Sequence, residues 1–280
     1  MLLIACKQEL VHIHKNHQLL NADILVIGLL IFDIRYLVQY NKHIAILWNA
    51  VPLYGTQMRG DSGMVLDVLC TDKLIPTLAV SNTSKAVEVG YRALAAGIHN
   101  LEITFRTEEA CKCLSALVEK IPQLTVGAGT ILTVEQAQAA YDAGAQYIVS
   151  PSCNPSVIQY CLSKNLLVLP GCATPTDVDA ARSLGIKVIK IFPVKSLGGV
   201  AFLKALSGPF SDMKYVPTGG VSTENLVDYL MFEKVVACGG SWMIPTKLVQ
   251  QNQWEEIEKS IRRSVQIVSD LQRANMAVAS

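Results

Sequence analysis

The chain has 280 residues, a formal net charge of +1, and a composition that is 51% hydrophobic and 17% charged. This composition excludes an intrinsically disordered chain, and no cluster of lysine and arginine indicates a nucleic-acid partner. Eight cysteines occur at irregular spacings without a zinc-binding pattern, which predicts reduced thiols in a cytoplasmic protein that binds no metal.

The first part of the chain, residues 1–63, does not resemble the remainder. Its one apolar run, residues 24–32, is shorter than the roughly 20 residues that a membrane span needs, and no small-residue cleavage site follows it. We therefore expect neither a membrane anchor nor a signal peptide. We expect an extension outside the enzyme domain, with translation beginning at Met64. The alternative is a real extension that covers one end of the domain or adds a partner site.

From residue 64 onward, short apolar runs alternate with alanine-rich amphipathic stretches. The order helix, glycine, strand recurs along this part of the chain. Glycine at that place is typical of a helix C-terminus. Eight such units predict a single-domain (β/α)8 TIM barrel over residues 64–280, with an open doubly wound sheet as the rival. The predicted strands are residues 74–80, 98–105, 124–128, 147–150, 166–169, 187–192, 215–218 and 234–238. Helix starts are predicted at Thr133, Pro155, Pro175 and Ser222.

The second predicted strand carries polar side chains on one face. Because strand side chains alternate, Glu102, Thr104 and Arg106 share the face that should point into the barrel. Burying a carboxylate and a guanidinium costs several kcal/mol unless they are paired or meet a ligand. The strand therefore indicates a ligand site, with a structural ion pair as the alternative.

The sixth predicted strand places Lys190 on the same face as Val188 and Phe192. Desolvation lowers the pKa of an amine and so raises the fraction of the neutral nucleophile, which can attack a ketone and form an imine. The residues alone leave two interpretations equally open: an imine-forming lysine, or a lysine paired with Glu102 for stability only.

Loops after the predicted strands supply further polar groups. Strands seven and eight end in Gly219-Gly220 and Gly239-Gly240-Ser241, where backbone N–H groups and a following helix N-terminus can bind a phosphate; tight turns alone are the alternative. The third strand ends at the Thr130 hydroxyl. Pro151 and Gly171 shape the ends of strands four and five, and Cys172 is expected to pack rather than react.

Seven motifs together resemble the bacterial 2-keto-3-deoxy-6-phosphogluconate (KDPG) aldolase and 4-hydroxy-2-oxoglutarate (KHG) aldolase family. They are LEITFRT, VGAGTIL, SPSCNP, PGCATPT, KVIKIFP, PTGGVS and GGSWM, and they cover nearly all of residues 64–269. The resemblance implies a class I aldolase that reversibly cleaves KDPG to pyruvate and D-glyceraldehyde 3-phosphate, or KHG to pyruvate and glyoxylate. It also implies a homotrimer that requires no metal or organic cofactor.

The resemblance assigns roles to the residues already singled out. Lys190 would form the Schiff base, Glu102 would act as general acid and base, and Arg106 and Thr130 would hold the pyruvyl carboxylate. Phe192 and Pro151 would line the pocket beside the reacting carbon. The distal phosphate would bind the two glycine-rich loops, at Gly219, Gly220, Gly239, Gly240 and Ser241.

Two other functions remain open at this point. One is a different phosphate-binding barrel enzyme, such as an isomerase or decarboxylase, that uses Lys190 only as a charge. The other is a non-catalytic barrel that senses phosphorylated sugars. The presence of Glu102, Arg106, Thr130 and Lys190 together argues against it. The motifs also leave the substrate open between the gluconate and galactonate configurations and KHG. The first strand, residues 74–80, departs from the uniformly β-branched run expected after its proline.

Overall fold

The computed structural model describes residues 62–279, with side chains through residue 277. The expectations for the N-terminal extension therefore lie outside the described residues, apart from its last two positions. No helix in the described part of the chain is long and apolar enough to cross a membrane.

Parallel strands form the centre of the molecule. In the described range they are β1 (Leu74–Leu78), β2 (Asn100–Thr104), β3 (Thr125–Gly129), β4 (Tyr147–Val149), β5 (Leu167–Leu169), β6 (Gly171–Cys172), β7 (Val188–Ile191), β8 (Lys214–Pro217) and β9 (Cys238–Gly240). One sheet has the order β5-β4-β3-β2-β1-β9, and a second has the order β6-β7-β8. All pairings are parallel.

Helices follow the strands in alternation. They are α1 (Ser62–Asp72), α2 (Thr83–Ala95), α3 (Ala110–Lys120), α4 (Val134–Asp142), α5 (Pro155–Ser163), α6 (Pro175–Ser183), α7 (Gly199–Ser207), α8 (Leu226–Leu230), α9 (Thr246–Gln250) and α10 (Trp254–Ala279). The helix α1 precedes the first strand and has no counterpart among the predicted elements.

The two sheets approach each other at both edges. Only Pro170 separates β5 from β6, and its carbonyl accepts a hydrogen bond from the Lys190 N–H. At the other edge, isolated bridges join Tyr215 to Val235 and Thr218 to Gly239. The result is a curled parallel sheet of the TIM-barrel type. The eighth strand lies later than predicted, since residues 234–237 contribute only the bridge at Val235.

Helix starts agree with the predictions at three of the four positions. Thr133 is the N-cap of α4, and Pro155 and Pro175 open α5 and α6. The prediction for Ser222 was wrong, because α8 begins at Leu226. The Ser222 N–H donates to the Asn225 side chain, and this bond closes a turn before the helix.

Apolar side chains form two layers. The larger cluster lies between the strands and the helices. The smaller cluster fills the interior of the curled sheet and includes Ile75, Tyr147 and Val216, together with Val65 and Leu69 of α1. The helix α1 therefore packs against the end of the interior where the strands begin, and leaves the opposite end for the site.

Candidate active site

Lys190 lies on β7 and is 7% exposed. Its neighbours across the strands are Gly171 and Val216, and its ammonium nitrogen lies 5.0 Å from the centroid of the Phe192 ring. Burial lowers the pKa of Lys190; the nearby Glu102 carboxylate opposes this shift and Arg106 adds to it. The surroundings thus favour the neutral amine, which is the nucleophilic form.

Glu102 lies on β2 and is 4% exposed. Burial raises the pKa of this carboxyl group, while the positive charges of Lys190 and Arg106 act in the opposite direction. The carboxyl group rests on Gly129 of β3, where a Cβ atom would lie 1.7 Å from its Oε1 atom. A raised pKa lets a carboxyl group both donate and accept protons closer to neutral pH.

The alternative of a purely structural Lys190–Glu102 pair finds no support in the geometry. Among the residues that the structure describes, no salt bridge within 4.0 Å joins these two side chains. Each nevertheless shifts the pKa of the other through its charge. The two side chains therefore face a common space, and no ion pair between them spans it.

Arg106 and Thr130 meet at the mouth of the sheet, where the Arg106 Nε donates to the Thr130 hydroxyl at 3.3 Å. The Arg106 side chain is exposed, and its charge acts on both Glu102 and Lys190, so it lies at the open end of the interior. The strand ends at Thr104, and the Arg106 N–H turns back to the Thr104 carbonyl at 2.8 Å, so alternation stops there. Thr130 has a φ of 61°, which is strained for a β-branched residue and typical of functional sites.

Pro151 and Phe192 both lie near Lys190, Pro151 through Gly171, which is the cross-strand partner of Lys190, and Phe192 through its ring. The Pro151 carbonyl group packs on Gly171, where a Cβ atom would lie 2.4 Å from it. Phe192 is partly exposed and its ring packs on Gly219. Both positions therefore border the space that Lys190 faces.

The loop after β8 contains Gly219 and Gly220, with φ values of 89° and 87°. These left-handed conformations favour glycine. The side chain of Lys195 lies on Gly220, where a Cβ atom would be 2.4 Å from the Lys195 Cβ. Lys195, a basic residue beside this loop, was not among the site residues predicted from the sequence.

The strand β9 ends with Gly239 and Gly240, and the loop after it begins at the exposed Ser241. The Thr218 hydroxyl lies over Gly239, 2.7 Å from where a Cβ atom would be, so the two glycine loops are adjacent. The helix N-terminus expected directly after each glycine pair is not found there. The helices that follow, α8 and α9, have five residues each and begin only at Leu226 and Thr246.

Cys172 is buried, and its thiol lies 3.9 Å from the Pro170 carbonyl oxygen. Burial, with smaller contributions from Cys153 and Asp177, raises the pKa of Cys172 well above its usual range. A thiol with so little thiolate is a poor nucleophile, which agrees with the predicted packing role.

Comparisons with known proteins agree on one family. The sequence model of the KDPG and KHG aldolases matches residues 65–260. The 2-dehydro-3-deoxy-phosphogluconate aldolase of Treponema pallidum is 37% identical over 204 residues, which are 73% of this chain and 97% of that protein. The KHG/KDPG aldolase of Escherichia coli K12 is 33% identical over 199 residues, which are 71% and 93% of the two chains. A KDPG aldolase structure from Legionella pneumophila, with pyruvate captured as a covalent carbinolamine, superposes with a TM-score of 0.69 at 30% identity and covers 71% of this chain and 96% of its own. The chain belongs to the KDPG and KHG aldolase family.

Proposed function

We propose that this protein is a class I aldolase that reversibly cleaves KDPG to pyruvate and D-glyceraldehyde 3-phosphate, KHG to pyruvate and glyoxylate, or both. The observation that carries the proposal is the buried Lys190 amine, whose pKa is lowered, facing the buried Glu102 carboxyl group. Family membership supports the same reaction, since the relatives named above are KDPG and KHG/KDPG aldolases.

Lys190 is the nucleophile of the proposed reaction. Its neutral amine attacks the C2 ketone, and loss of water from the carbinolamine gives a protonated imine. The C3–C4 bond then breaks, its electrons move into the imine to form an enamine, and the aldehyde leaves. Protonation at C3 and hydrolysis of the imine release pyruvate and free Lys190. The species captured in the Legionella enzyme is a carbinolamine of pyruvate, which in this reaction sequence forms when water adds to the imine in the last step.

Glu102 moves the protons in this scheme. Its carboxylate accepts the C4 hydroxyl proton as the C3–C4 bond breaks, and its acid form donates a proton when the carbinolamine loses water. The raised pKa supports both roles. Because Glu102 rests on Gly129, the carboxyl group lies above β3, at the end of the strands where Thr130 follows.

The remaining site residues bind the two ends of the substrate. Arg106 and Thr130 hold the pyruvyl carboxylate, supported by their hydrogen bond and shared position at the mouth. Pro151 and Phe192 line the pocket. The distal phosphate binds backbone N–H groups and a hydroxyl on the two adjacent loops, at Gly219, Gly220, Gly239, Gly240 and Ser241.

The remaining expectations concern the architecture. We propose that the curled sheet closes into a complete (β/α)8 barrel, supported by the bridges at its two edges. Residues 64–280 form the aldolase domain and residues 1–63 lie outside it, which the family match over residues 65–260 supports. We propose a homotrimer, as the family resemblance implies.

Steady-state rates with KDPG, its galactonate-configured epimer and KHG test the function. Pyruvate release from at least one of them, and its loss in Lys190→Met, is the expected result. A purified protein that binds these acids without releasing pyruvate would instead support the sensing alternative.

A further inference from the structure

Tyr147 fills a space inside the sheet that Gly127 leaves open. The side chain is 0% exposed. Tyr147 and Glu102 are both in register with Gly127, which lies between them on β3. A Cβ atom at Gly127 would lie 2.2 to 2.5 Å from three atoms of the Tyr147 ring. The ring therefore crosses β3 at this glycine and extends from β4 toward β2.

The Tyr147 hydroxyl reaches β2 directly below Glu102. It donates a hydrogen bond to the Asn100 Oδ1 atom at 3.4 Å. Asn100 precedes Glu102 by two residues and therefore shares its face of the strand. Asn100 is itself fixed, because its amide donates to the Asp72 carboxylate and to the Leu74 carbonyl, both at 2.8 Å. The ring thus occupies the layer immediately below the Glu102 side chain.

Glu102 extends in the opposite direction, toward the mouth. Its carboxyl group rests on Gly129, one two-residue step beyond the glycine that the Tyr147 ring covers. We propose that Tyr147 is a positioning residue for Glu102: its ring fills the barrel below the carboxyl group, excludes water there, and holds that group over Gly129 on the side of Lys190. The inference rests on the proposed function, since it concerns the group that moves protons in that reaction.

Two charged groups and one neutral phenol surround Glu102. Lys190 and Arg106 influence it from β7 and from the turn after β2, and Tyr147 lies below. Burial raises the pKa of the Tyr147 phenol well above its usual range, and the Glu102 and Asp72 charges add to this shift, so the phenol stays neutral while Glu102 titrates. Since burial is the main cause of the raised pKa of Glu102, water admitted from below would lower that pKa.

The test compares Tyr147→Leu with Tyr215→Leu. Tyr215 is also 0% exposed but belongs to the cluster between strands and helices, so it controls for loss of a buried tyrosine. We expect Tyr147→Leu to lower kcat about tenfold or more with a smaller change in KM. The limb of the pH–kcat/KM profile that disappears in Glu102→Gln should shift to lower pH by about half a unit or more. Tyr215→Leu should not shift it, and Tyr147→Phe, which keeps the ring, should retain its wild-type position.

Each outcome decides the proposal. An unshifted profile in Tyr147→Leu, or the same shift in Tyr215→Leu, overturns the positioning role while leaving the aldolase assignment intact. If the leucine variant does not fold, Tyr147→Met, whose flexible side chain fills an apolar gap, should show the shift in smaller measure, and a wild-type profile there also refutes the proposal. A wild-type protein that cleaves none of the three acids overturns the proposed function and this inference together.

Discussion

Adding a methyl group at Gly129 should impair catalysis far more than it impairs folding. A Cβ atom at this position would lie 1.7 Å from the Glu102 Oε1 atom and 2.4 Å from its Cδ atom, whereas ordinary contact begins near 3.4 Å. The three nearest atoms that it meets all belong to the Glu102 side chain. Gly129→Ala therefore forces the carboxyl group of Glu102 to move and leaves the surrounding backbone in place.

The size of the effect follows from that displacement. The Oε1 atom has to retreat by about 1.7 Å to restore ordinary contact. Misplacing a reacting group by about 1 Å can cost about a hundredfold in rate, so we expect kcat/KM to fall by about a hundredfold or more. Overpacking a buried site costs about 1–3 kcal/mol of stability, which a folded domain of this size should tolerate.

Pyruvate release and thermal unfolding measure the two effects separately. Gly208→Ala is the matched control, because the nearest atom to a Cβ there is 3.6 Å away, and it should leave both quantities close to wild type. Because Gly129→Ala acts through Glu102, the double variant with Glu102→Gln should be little slower than Glu102→Gln alone. A Gly129→Ala enzyme within a few-fold of wild type, or a double variant with fully additive losses, would refute this reasoning.

Three further predictions follow from the site and the fold. Glu102→Gln should lower kcat by about 10²–10⁴, the usual loss for a general acid and base; steady-state kinetics within a few-fold of wild type would contradict its proton-transfer role. Ser241→Ala should lower kcat/KM for KDPG by roughly ten- to a hundredfold, since a hydrogen bond to a charged group contributes about 1.5–3 kcal/mol, and should spare KHG; equal losses on both substrates would show that Ser241 does not read the phosphate. A protein that starts at Met64 should be soluble and fully active and should assemble as the full chain does. One that starts at Leu74 also lacks the buried Val65 and Leu69 side chains and should lose about 3–6 kcal/mol of stability. Thermal unfolding measures the stability and size-exclusion chromatography the assembly, and an inactive Met64 protein would show that the preceding residues are needed.

Sequence patterns predicted the parts of the fold that depend on local order. Strand and helix periods located the βα units, and Thr133, Pro155 and Pro175 marked helix starts through capping chemistry that acts within a few residues. Alternation also placed Glu102 and Lys190 on inward faces, and both are buried. Alternation does not account for the exposure of Arg106, because the chain turns directly after Thr104 and the period of two applies only within a strand.

The contacts that shape the site come from register between strands, which one sequence does not reveal. Gly127 and Gly129 leave space on the inward face of β3, and Tyr147 and Glu102 from the two adjacent strands fill it. The alternating glycines of the VGAG segment were the available signal that large side chains lie over this strand. Likewise, Asp72 and Asn100 meet only because α1 packs under the sheet.

The most direct test of the account is borohydride trapping of the imine with pyruvate, followed by peptide mapping. Reduction of the imine leaves a 1-carboxyethyl group on the nitrogen of the lysine that formed it. We expect a single modified site at Lys190 in the wild-type protein and none in Lys190→Met, which should remain folded because burial disfavours the charged form of Lys190 in the native protein. Modification of another lysine, or no modification of an enzyme that still releases pyruvate, would contradict the Schiff-base mechanism at Lys190.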